Sequence, residues 1–310
     1  MTTLRVLDLF AGCGGLTQGF VATGMFRPVG AVEIDHSAAA TYAQNFGHHI
    51  HVGDIAEWVD SPLPTTDVVV GGPPCQGFSA LGKRDPRDPR NGLWRHYLTT
   101  LQRVRPSFFV LENVPGFLKS NEYQILERET RRDGRLADYA LEPAILNSAL
   151  FGAPQNRRRA VVIGRLRGFD PVGHPPASTP TTLADTFPRW LNPRVVETEL
   201  PESSIEFMGR DLPGAFKTRD LHITRVPTEL SLARYRSIPA GGNRHDLPDH
   251  LLAPCWRKHK DGAGDVMGRL TWGKPSVTIR TEFFKPEKGR YLHPDENRPI
   301  THAEAATIQG

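Results

Sequence analysis

The chain has 310 residues, of which 38% are hydrophobic and 23% charged, and its formal net charge is +4 at pH 7. This composition is that of an ordinary globular protein with one large or two modest domains, and it excludes a disordered or fibrous chain. Its three cysteines are too far apart in sequence for a disulfide framework or a zinc signature, and no apolar run reaches the ~18 residues of a membrane helix. We therefore expect a cytoplasmic protein with reduced thiols, no metal site and no membrane contact.

Short apolar runs alternate with segments of helical length over residues 4–165. The runs predict strands at 5–9, 29–33, 49–52, 67–70, 108–111, 142–146 and 160–163. The segments between several of them predict helices at 15–23, 37–46, 93–104 and 123–131. Alternation of this kind predicts an α/β fold, in which a doubly wound, mostly parallel sheet carries helices on both faces.

The composition changes near residue 168. Residues 171–254 contain 12 of the 27 prolines and show little periodicity, which predicts a smaller, loop-rich domain. Regular structure returns from about residue 267, with a strand predicted at 276–280 and a helix beginning near Thr301. We predict a first domain at 1–170, a second at 171–266, and a segment at 267–310 that returns to the first domain.

Glycine and acidic residues follow the first three predicted strands. Gly12 and Gly14 come after the first strand, where a tight turn lets a ligand approach the backbone at a helix N-terminus. Glu33 ends the second strand, where an acidic side chain can bind two ribose hydroxyls, and Asp54 and Ile55 follow the third. Each acid alone is more simply interpreted as a helix cap or a solvated loop residue. Together, at successive strand ends, they indicate a nucleoside pocket.

The fourth predicted strand ends in GGPPCQGFS at residues 71–79, the most informative segment of the chain. The prolines end the strand, and a glycine permits a sharp turn just after Cys75. A cysteine at the carboxyl end of a buried strand lies where open α/β sheets place their chemistry. An isolated cysteine is more often a small buried hydrophobe, but this constrained loop is not a core layer. Cys75 is therefore a candidate nucleophile.

Two further segments carry charged residues, LENVP at 111–115 and QNRRR at 155–159. Glu112 ends the fifth apolar run, so its carboxyl should emerge at the same sheet edge as Cys75 and could donate a proton to a ring nitrogen. The alternative for Glu112 is a capping role before the proline. Arg157 and Arg159 would share one face of an extended segment; the alternative is a simple basic patch.

Basic residues are concentrated just after Cys75. Residues 81–105 contain seven Lys and Arg side chains against two Asp. A loop of this charge suits contacts with nucleic-acid phosphates. The alternative is a solvated loop that only keeps the protein soluble.

In this order, the motifs resemble those of the DNA cytosine-5 methyltransferases of bacterial restriction–modification systems. The resemblance covers about 1–165 and 267–310, and its most specific parts are PCQ at 74–76, ENV at 112–114 and QNRRR. It implies the Rossmann-like fold of class I S-adenosylmethionine-dependent methyltransferases, with residues 171–266 as the target-recognition domain. The implied reaction transfers a methyl group from S-adenosylmethionine to carbon 5 of a flipped-out cytosine in a specific sequence of double-stranded DNA.

The resemblance also implies a role for each matching residue. Cys75 would add to carbon 6 of cytosine, and Glu112 would contact its N3 and amino edge. Arg159, supported by Arg157, would bind O2. The segment 269–278 would organise the recognition domain together with Arg298, Thr301 and Glu304. The cofactor site would consist of Phe10, Gly12, Gly14, Glu33, Ile34, Asp54, Ile55, Pro74 and Leu93.

One part of the family pattern is missing from the chain, which stops at Ile308-Gln309-Gly310. The family's last motif, a Gly-Asn dipeptide followed by small and apolar residues that close the cofactor pocket, does not appear before Gly310. We therefore expect the chain alone to be a poor enzyme that a second polypeptide could complete.

Two alternative functions stay open. A non-catalytic DNA-binding fragment, or one subunit of a split methyltransferase, would bind the cofactor very weakly. A transfer-RNA cytosine-5 methyltransferase would carry a Cys-Phe-Thr triplet in its variable region, where this chain has only Cys255, within PCWR.

Overall fold

The structure is a computed structural model that describes residues 3–74, 92–187, 196–258 and 263–310. The chain divides into two compact units. The first unit contains Met1–Leu146, Arg158–Pro175 and Glu206–Leu212, and the second contains Asn147–Arg157, Pro176–Ile205 and Pro213–Gly310. The target-recognition assignment of 171–266 stays a prediction.

The strands and helices are numbered in chain order. The strands are β1 (Leu4–Leu9), β2 (Phe26–Glu33), β3 (Ile50–Val52), β4 (Val68–Gly71), β5 (Phe108–Asn113), β6 (Tyr139–Asn147), β7 (Gln155–Asn156), β8 (Arg158–Leu166), β9 (Ser204–Phe207), β10 (Arg210–Pro213) and β11 (Ser276–Val277). The α-helices are α1 (Gly15–Val21), α2 (His36–Phe46), α3 (Ile55–Trp58), α4 (Leu93–Val104), α5 (Asn121–Glu129), α6 (Leu183–Thr186), α7 (Glu229–Ser237), α8 (Pro254–Lys258) and α9 (His302–Gln309).

The main sheet has seven strands in the order β3-β2-β1-β4-β5-β8-β6. Strands β3, β2, β1, β4 and β5 pair in parallel, and β8 runs antiparallel to β5. The predicted α/β fold with a mostly parallel sheet is therefore confirmed. The strand order reverses between β1 and β4, and open α/β sheets bind ligands at the carboxyl ends of the strands that flank such a point.

Helix α4 shows why the sequence pattern predicted this helix well. Its buried side chains, Trp94, Tyr97, Leu98 and Leu101, follow the spacing of one helix face. This face belongs to the same apolar cluster as Leu7 and Val69 of the sheet. The observed helix has the bounds predicted from the sequence.

The QNRRR segment and the strand expected at 276–280 differ from prediction. The QNRRR segment is not one extended strand. Its first two residues form β7, the strand is interrupted at Arg157, and β8 begins at Arg158. The Arg157 amide donates to the Gln155 carbonyl at 3.0 Å, which turns the chain at this point. The strand expected at 276–280 is only two residues long, as β11, and it pairs in parallel with β7.

The second unit is organised around buried charged side chains. Arg269 is 4% exposed and donates to four backbone carbonyl oxygens and to Asn297 Oδ1, at 2.7–3.0 Å. Helix α9 begins with a capping box formed by Thr301 and Glu304. Arg298 donates to both carboxylate oxygens of Glu304 at 2.8 Å. Burial opposes ionisation of Glu304, but the guanidinium of Arg298 outweighs it and lowers the pKa of this carboxyl.

None of the helices in the described ranges is both long enough and apolar enough to cross a membrane.

Candidate active site

The loop between β1 and α1 has an unusual backbone conformation. Phe10, Gly12 and Gly14 have φ values of 60°, 55° and 93°, in the left-handed region. A Cβ on Gly14 would lie 2.3 Å from Cε2 of Phe46, so only glycine fits against this ring of α2. A Cβ on Gly12 would meet no atom within 4 Å. The loop is thus packed on one side and open above Gly12.

Glu33, at the end of β2, ties this loop to the next strand. Its Oε2 accepts from the Gly12 amide at 2.8 Å, and its Oε1 accepts from the amides of Ile34 and Asp35, each at 2.8 Å. These two amides precede α2, which Asp35 caps through the Ala38 amide, so Glu33 itself is not the helix cap. The contact with Gly12 places the half-buried Glu33 carboxylate beside the open part of the loop.

The end of β3 lies next to Glu33. The Gly53 amide donates to the Glu33 carbonyl at 3.0 Å. Asp54 caps α3 through its Oδ1, which accepts from the Ala56 amide at 2.9 Å, and its side chain is exposed. Ile34 is 68% exposed, an unusual environment for a large apolar side chain. The ends of β1, β2 and β3 thus carry the predicted glycine, acidic and isoleucine residues together.

Three of the predicted apolar cofactor residues belong to one cluster. Ile55 is a buried member, and Phe10 and Leu93 pack against this cluster as partly buried side chains. Pro74 is half-buried and lies in the segment that follows β4. Cys75 lies outside the described residues.

Glu112 and Arg159 form an ion pair at the carboxyl end of β5. In the antiparallel register of β5 and β8, Glu112 lies opposite Val161, so Arg159 is its diagonal neighbour on the same face. Arg159 Nε lies 2.8 Å from Glu112 Oε1, and the two side chains are 22% and 27% exposed. The 3₁₀ helix Pro115–Lys119 follows β5, with Val114 at its N-cap position.

The ends of β4 and β5 are held together around Glu112. A Cβ on Gly72 would lie 3.2 Å from Glu112 Oε2, so glycine keeps space for this carboxylate. Asn113 Nδ2 donates to the Pro73 carbonyl at 3.0 Å, which fixes the chain that leads to Cys75. Sequence analysis assigned no role to Asn113, although its place after Glu112 in the ENV motif is the available signal.

Asp8 is a second residue that sequence analysis did not assign. It is 1% exposed, and Thr17 Oγ1 in the first turn of α1 donates to its Oδ2 at 2.7 Å. Its Oδ1 has no hydrogen-bond partner within the described ranges. Burial raises the pKa of Asp8 to about 7, although the hydrogen bond from Thr17 opposes this shift. An acid inside an apolar strand is the sequence signal that could have identified it.

Arg157 belongs to the second unit and is half-buried. The Ser148 amide donates to its carbonyl at 3.1 Å, in addition to the bond from its own amide to Gln155. The shared face predicted for Arg157 and Arg159 requires one continuous strand, which the break at Arg157 removes. Across the described parts of the chain, no three His, Cys, Asp or Glu side chains come together as a metal site would require.

Known proteins that are similar to this chain share one family. Residues 4–310 match the family described as C-5 cytosine-specific DNA methylase. Type II methyltransferase M.XorII of Xanthomonas oryzae pv. oryzae is 36% identical over 340 residues, covering 99% of this chain and 76% of that protein. Type II methyltransferase M1.HphI of Haemophilus parahaemolyticus is 31% identical, with 99% and 77% covered.

A solved structure is also similar over nearly the whole chain. It is described as a DNA modification methyltransferase encoded within a prophage, from E. coli. The TM-score is 0.70 at 25% identity, and the match covers 99% of this chain and 88% of that one.

Proposed function

Because the chain belongs to the C-5 cytosine-specific DNA methylase family, we propose that it methylates carbon 5 of a cytosine within a specific double-stranded sequence, using S-adenosylmethionine. The chain is a DNA cytosine-5 methyltransferase of the type II restriction–modification kind. The finer proposal concerns the cofactor, the covalent intermediate and the residue roles. The ion pair of Glu112 and Arg159 beside Gly72 is the observation that carries it.

The residues at the ends of β1 to β3 suit the parts of S-adenosylmethionine. The open backbone at Gly12 allows close approach, the Glu33 carboxylate can accept from ribose hydroxyls, and exposed Ile34 offers an apolar face for adenine. Asp54 would accept from the adenine amino group. The remaining proposed contacts come from Phe10, Gly14, Ile55, Pro74 and Leu93. When bound, this cofactor supplies a methyl group on a positively charged sulfur.

Cys75 would start the reaction. Carbon 5 of cytosine is too electron-poor to take a methyl cation equivalent directly, so a thiolate must first add to carbon 6. The new S–C6 bond breaks the ring's aromaticity and makes carbon 5 nucleophilic. After methylation, carbon 5 loses its proton, and the sulfur leaves as the C5–C6 double bond re-forms. An unperturbed thiol has a pKa of about 8.5, so a nearby cation or helix terminus must favour the thiolate.

Glu112 and Arg159 would stabilise the charge that thiolate addition creates. N3 and O2 are adjacent positions on one edge of cytosine, and two side chains 2.8 Å apart can face both at once. Glu112 would protonate or hydrogen-bond N3 as electron density moves there, and Arg159 would donate to O2. Arg157 would support Arg159. Because carbon 6 is inaccessible within a stacked duplex, the cytosine must be flipped out of the helix.

Trapping tests this proposal directly. The chain is incubated with S-adenosylmethionine and a pool of duplexes in which 5-fluorocytosine replaces cytosine, since fluorine at carbon 5 prevents release of the sulfur. We expect a covalent protein–DNA adduct whose DNA-linked peptide contains Cys75. Cys75→Ser should form no adduct, and variants of the exposed cysteines, Cys13→Ser and Cys255→Ser, should form it normally.

The same experiment separates the alternatives. An adduct through Cys13 or Cys255 would refute the role of Cys75. Binding of DNA without cofactor binding or adduct would favour a non-catalytic fragment or a subunit that needs a second polypeptide. Preference for an RNA substrate would favour the transfer-RNA enzymes.

Recognition of the target is proposed to lie in residues 171–266. This region is the part of the chain that the family motifs leave unmatched, and arginine can read guanine in the major groove. Exchanging it for the corresponding segment of a relative with another target should change the methylated sequence and leave the reaction unchanged. An active chimera that still modifies the original sequence would place recognition elsewhere.

A further inference from the structure

Gln155 begins the QNRRR segment but has no part in the chemistry proposed above. Its side chain is buried, with 2% exposed. Within the second unit, its Nε2 donates to the Ile308 carbonyl at 3.2 Å, and its Oε1 accepts from the Ile279 amide at 3.1 Å. One carboxamide thus joins this segment to two parts of the chain that follow it by 124 and 153 residues.

Both backbone groups need a partner from outside their own elements. Ile308 lies in the last turn of α9, where carbonyl groups have no partner within the helix. Ile279 lies beyond the end of β11, outside the strand ladder. A buried backbone group without a partner is unfavourable, and the donor and acceptor of a single amide satisfy both. Glutamine is suited to this position because it combines a donor and an acceptor in one planar group.

The backbone around Gln155 is fixed by the same unit. Gln155 pairs with Ser276 in the β7–β11 ladder, and its carbonyl accepts from Ser148 Oγ at 2.6 Å. That carbonyl also accepts from the Arg157 amide, and the Arg157 carbonyl accepts from the Ser148 amide. The position of the Arg157 backbone therefore depends on the position of Gln155.

We propose that Gln155 is a positioning residue for Arg157. By joining its segment to α9 and to the chain after β11, it fixes the point from which Arg157 takes part in cytosine binding. This inference rests on the proposed function, in which Arg157 supports Arg159 at O2. Gln155 acts through the backbone of Arg157.

The test uses Gln155→Glu with Asn156→Asp as the matched control. The first variant keeps the shape of the side chain but replaces its donor with an oxygen that faces the Ile308 carbonyl. The second adds the same charge at the exposed neighbouring position. It keeps an oxygen that can accept from Asn147 Nδ2, a bond of 3.0 Å in the structure.

Turnover is measured per active site, with sites counted by trapping on 5-fluorocytosine DNA. We expect Gln155→Glu to lower kcat about tenfold or more and to leave the Kd for S-adenosylmethionine unchanged. Asn156→Asp should stay within about twofold of the unaltered chain. Because Gln155 acts through Arg157, the double variant with Arg157→Ala should be no slower than Arg157→Ala alone. If the double variant instead shows the losses of kcat of both single variants combined, the proposal is overturned.

Amide hydrogen exchange gives a second readout that does not need activity. In Gln155→Glu, exchange should become faster together in residues 155–159, 276–280 and 305–309, and in Asn156→Asp it should not. Unchanged exchange in 155–159 would also overturn the proposal. Failure of the proposed function would show differently, as absence of methyl transfer by the unaltered chain.

Discussion

The Glu112–Arg159 pair has a close counterpart elsewhere in the same sheet. Glu142 of β6 and Arg165 of β8 form another carboxylate–guanidinium pair, at 2.7 Å. The Glu142 carboxylate also accepts from the amides of Val172 and Gly173, and these bonds and Arg165 lower the pKa of Glu142 against the opposing effect of burial. The Glu142 carboxylate thus has backbone partners far from the candidate site, and Glu112 lies beside Gly72, in the chain that leads to Cys75. The two pairs therefore allow a controlled comparison of substitutions.

Glu112→Gln should lower kcat by roughly 10²–10⁴, the usual effect of losing an acid–base group. The amide keeps the shape of the side chain but cannot deliver a proton to N3. The Kd for S-adenosylmethionine should hardly change. Steady-state methyl transfer and equilibrium cofactor binding measure the two quantities.

Glu142→Gln is the matched control for this prediction. It should lower the thermal midpoint of unfolding, because it weakens a structural pair, and leave kcat near that of the unaltered chain. Equal losses of kcat in the two variants would mean that Glu112 is only a structural partner of Arg159.

Asp8 should make stability depend on pH near neutrality. Its pKa rises from 3.8 to about 7 in the folded chain, mainly through burial. Between these values the folded state holds a proton that the unfolded chain has lost. Folding stability therefore falls as pH rises through this range and levels off above it.

Asp8→Asn should remove this dependence. From pH 5 to pH 8 the unaltered chain should lose roughly 1–3 kcal/mol more unfolding free energy than the variant. Denaturant unfolding of both proteins at the two pH values measures this difference. Because only the change with pH is compared, any effect of the asparagine on stability that does not depend on pH drops out. Equal pH dependence in both proteins would contradict the prediction.

At the scale of elements, the β1–α1 loop depends on α2 as much as on its own glycines. Gly14 approaches the ring of Phe46, which in turn packs on Tyr42 with centroids 4.9 Å apart. The hydroxyl of Tyr42 lies 3.4 Å from Thr17 Oγ1, within the first turn of α1. The helix that follows β2 therefore shapes the loop that follows β1.

Gly14→Ala should disrupt this loop, and the neighbouring Gly15→Ala should not. At Gly14 an added methyl meets both a positive φ and the Phe46 ring, whereas at Gly15 it enters open space in a helix. We expect Gly14→Ala to weaken binding of S-adenosylmethionine about tenfold or more and to lower thermal stability. Calorimetric titration and thermal unfolding of both variants check this, and similar behaviour of the two would refute the steric explanation.

Several elements of the first unit were predictable because their signals are local. Strand β4 is a run of valines before glycine and proline, and α4 carries its apolar residues on one face. The placement of Glu33, Asp54 and Glu112 at strand ends also followed, because parallel strands present their carboxyl ends at one sheet edge.

Contacts between segments distant in sequence were not predictable in this way. The Glu112–Arg159 pair depends on the antiparallel register of β5 and β8, which a pattern within one segment cannot specify. The break at Arg157 depends on β11, more than 100 residues later in the chain. Burial of Asp8 depends on β2 and β4, which pair with β1 on either side.

For the whole molecule, the arginines of 171–266 that the structure describes fall into two groups. Arg225, Arg234 and Arg244 serve the second unit: Arg225, for example, contacts Glu287 at 2.8 Å, and Arg244 is 4% exposed. Arg210, Arg219, Arg236 and Arg257 are exposed. Among the described residues of this region, fewer arginines are therefore exposed to DNA than the sequence contains.

The double variant Arg219→Gln and Arg236→Gln should weaken DNA binding without loss of stability. If both side chains contact phosphates, the salt dependence of log K should become shallower by about 2. Arg225→Gln should instead lower the unfolding temperature and leave the salt dependence unchanged. Binding titrations over a range of salt concentrations, together with thermal unfolding, distinguish the two effects. A shallower salt dependence in Arg225→Gln, with a lower unfolding temperature in the double variant, would contradict the division of the arginines into two groups.

The sheet order has a consequence for how the protein matures. Strand β1 pairs with β4, and β5 pairs with β8, so each pairing joins segments far apart in the chain. Long-range pairing of this kind slows folding, because large loops must close before contacts compensate for the lost entropy. On the ribosome, β5 stays an open edge until residues 158–166 have emerged. A nascent chain can therefore acquire the Glu112–Arg159 pair only after β8 has been synthesised and has paired with β5.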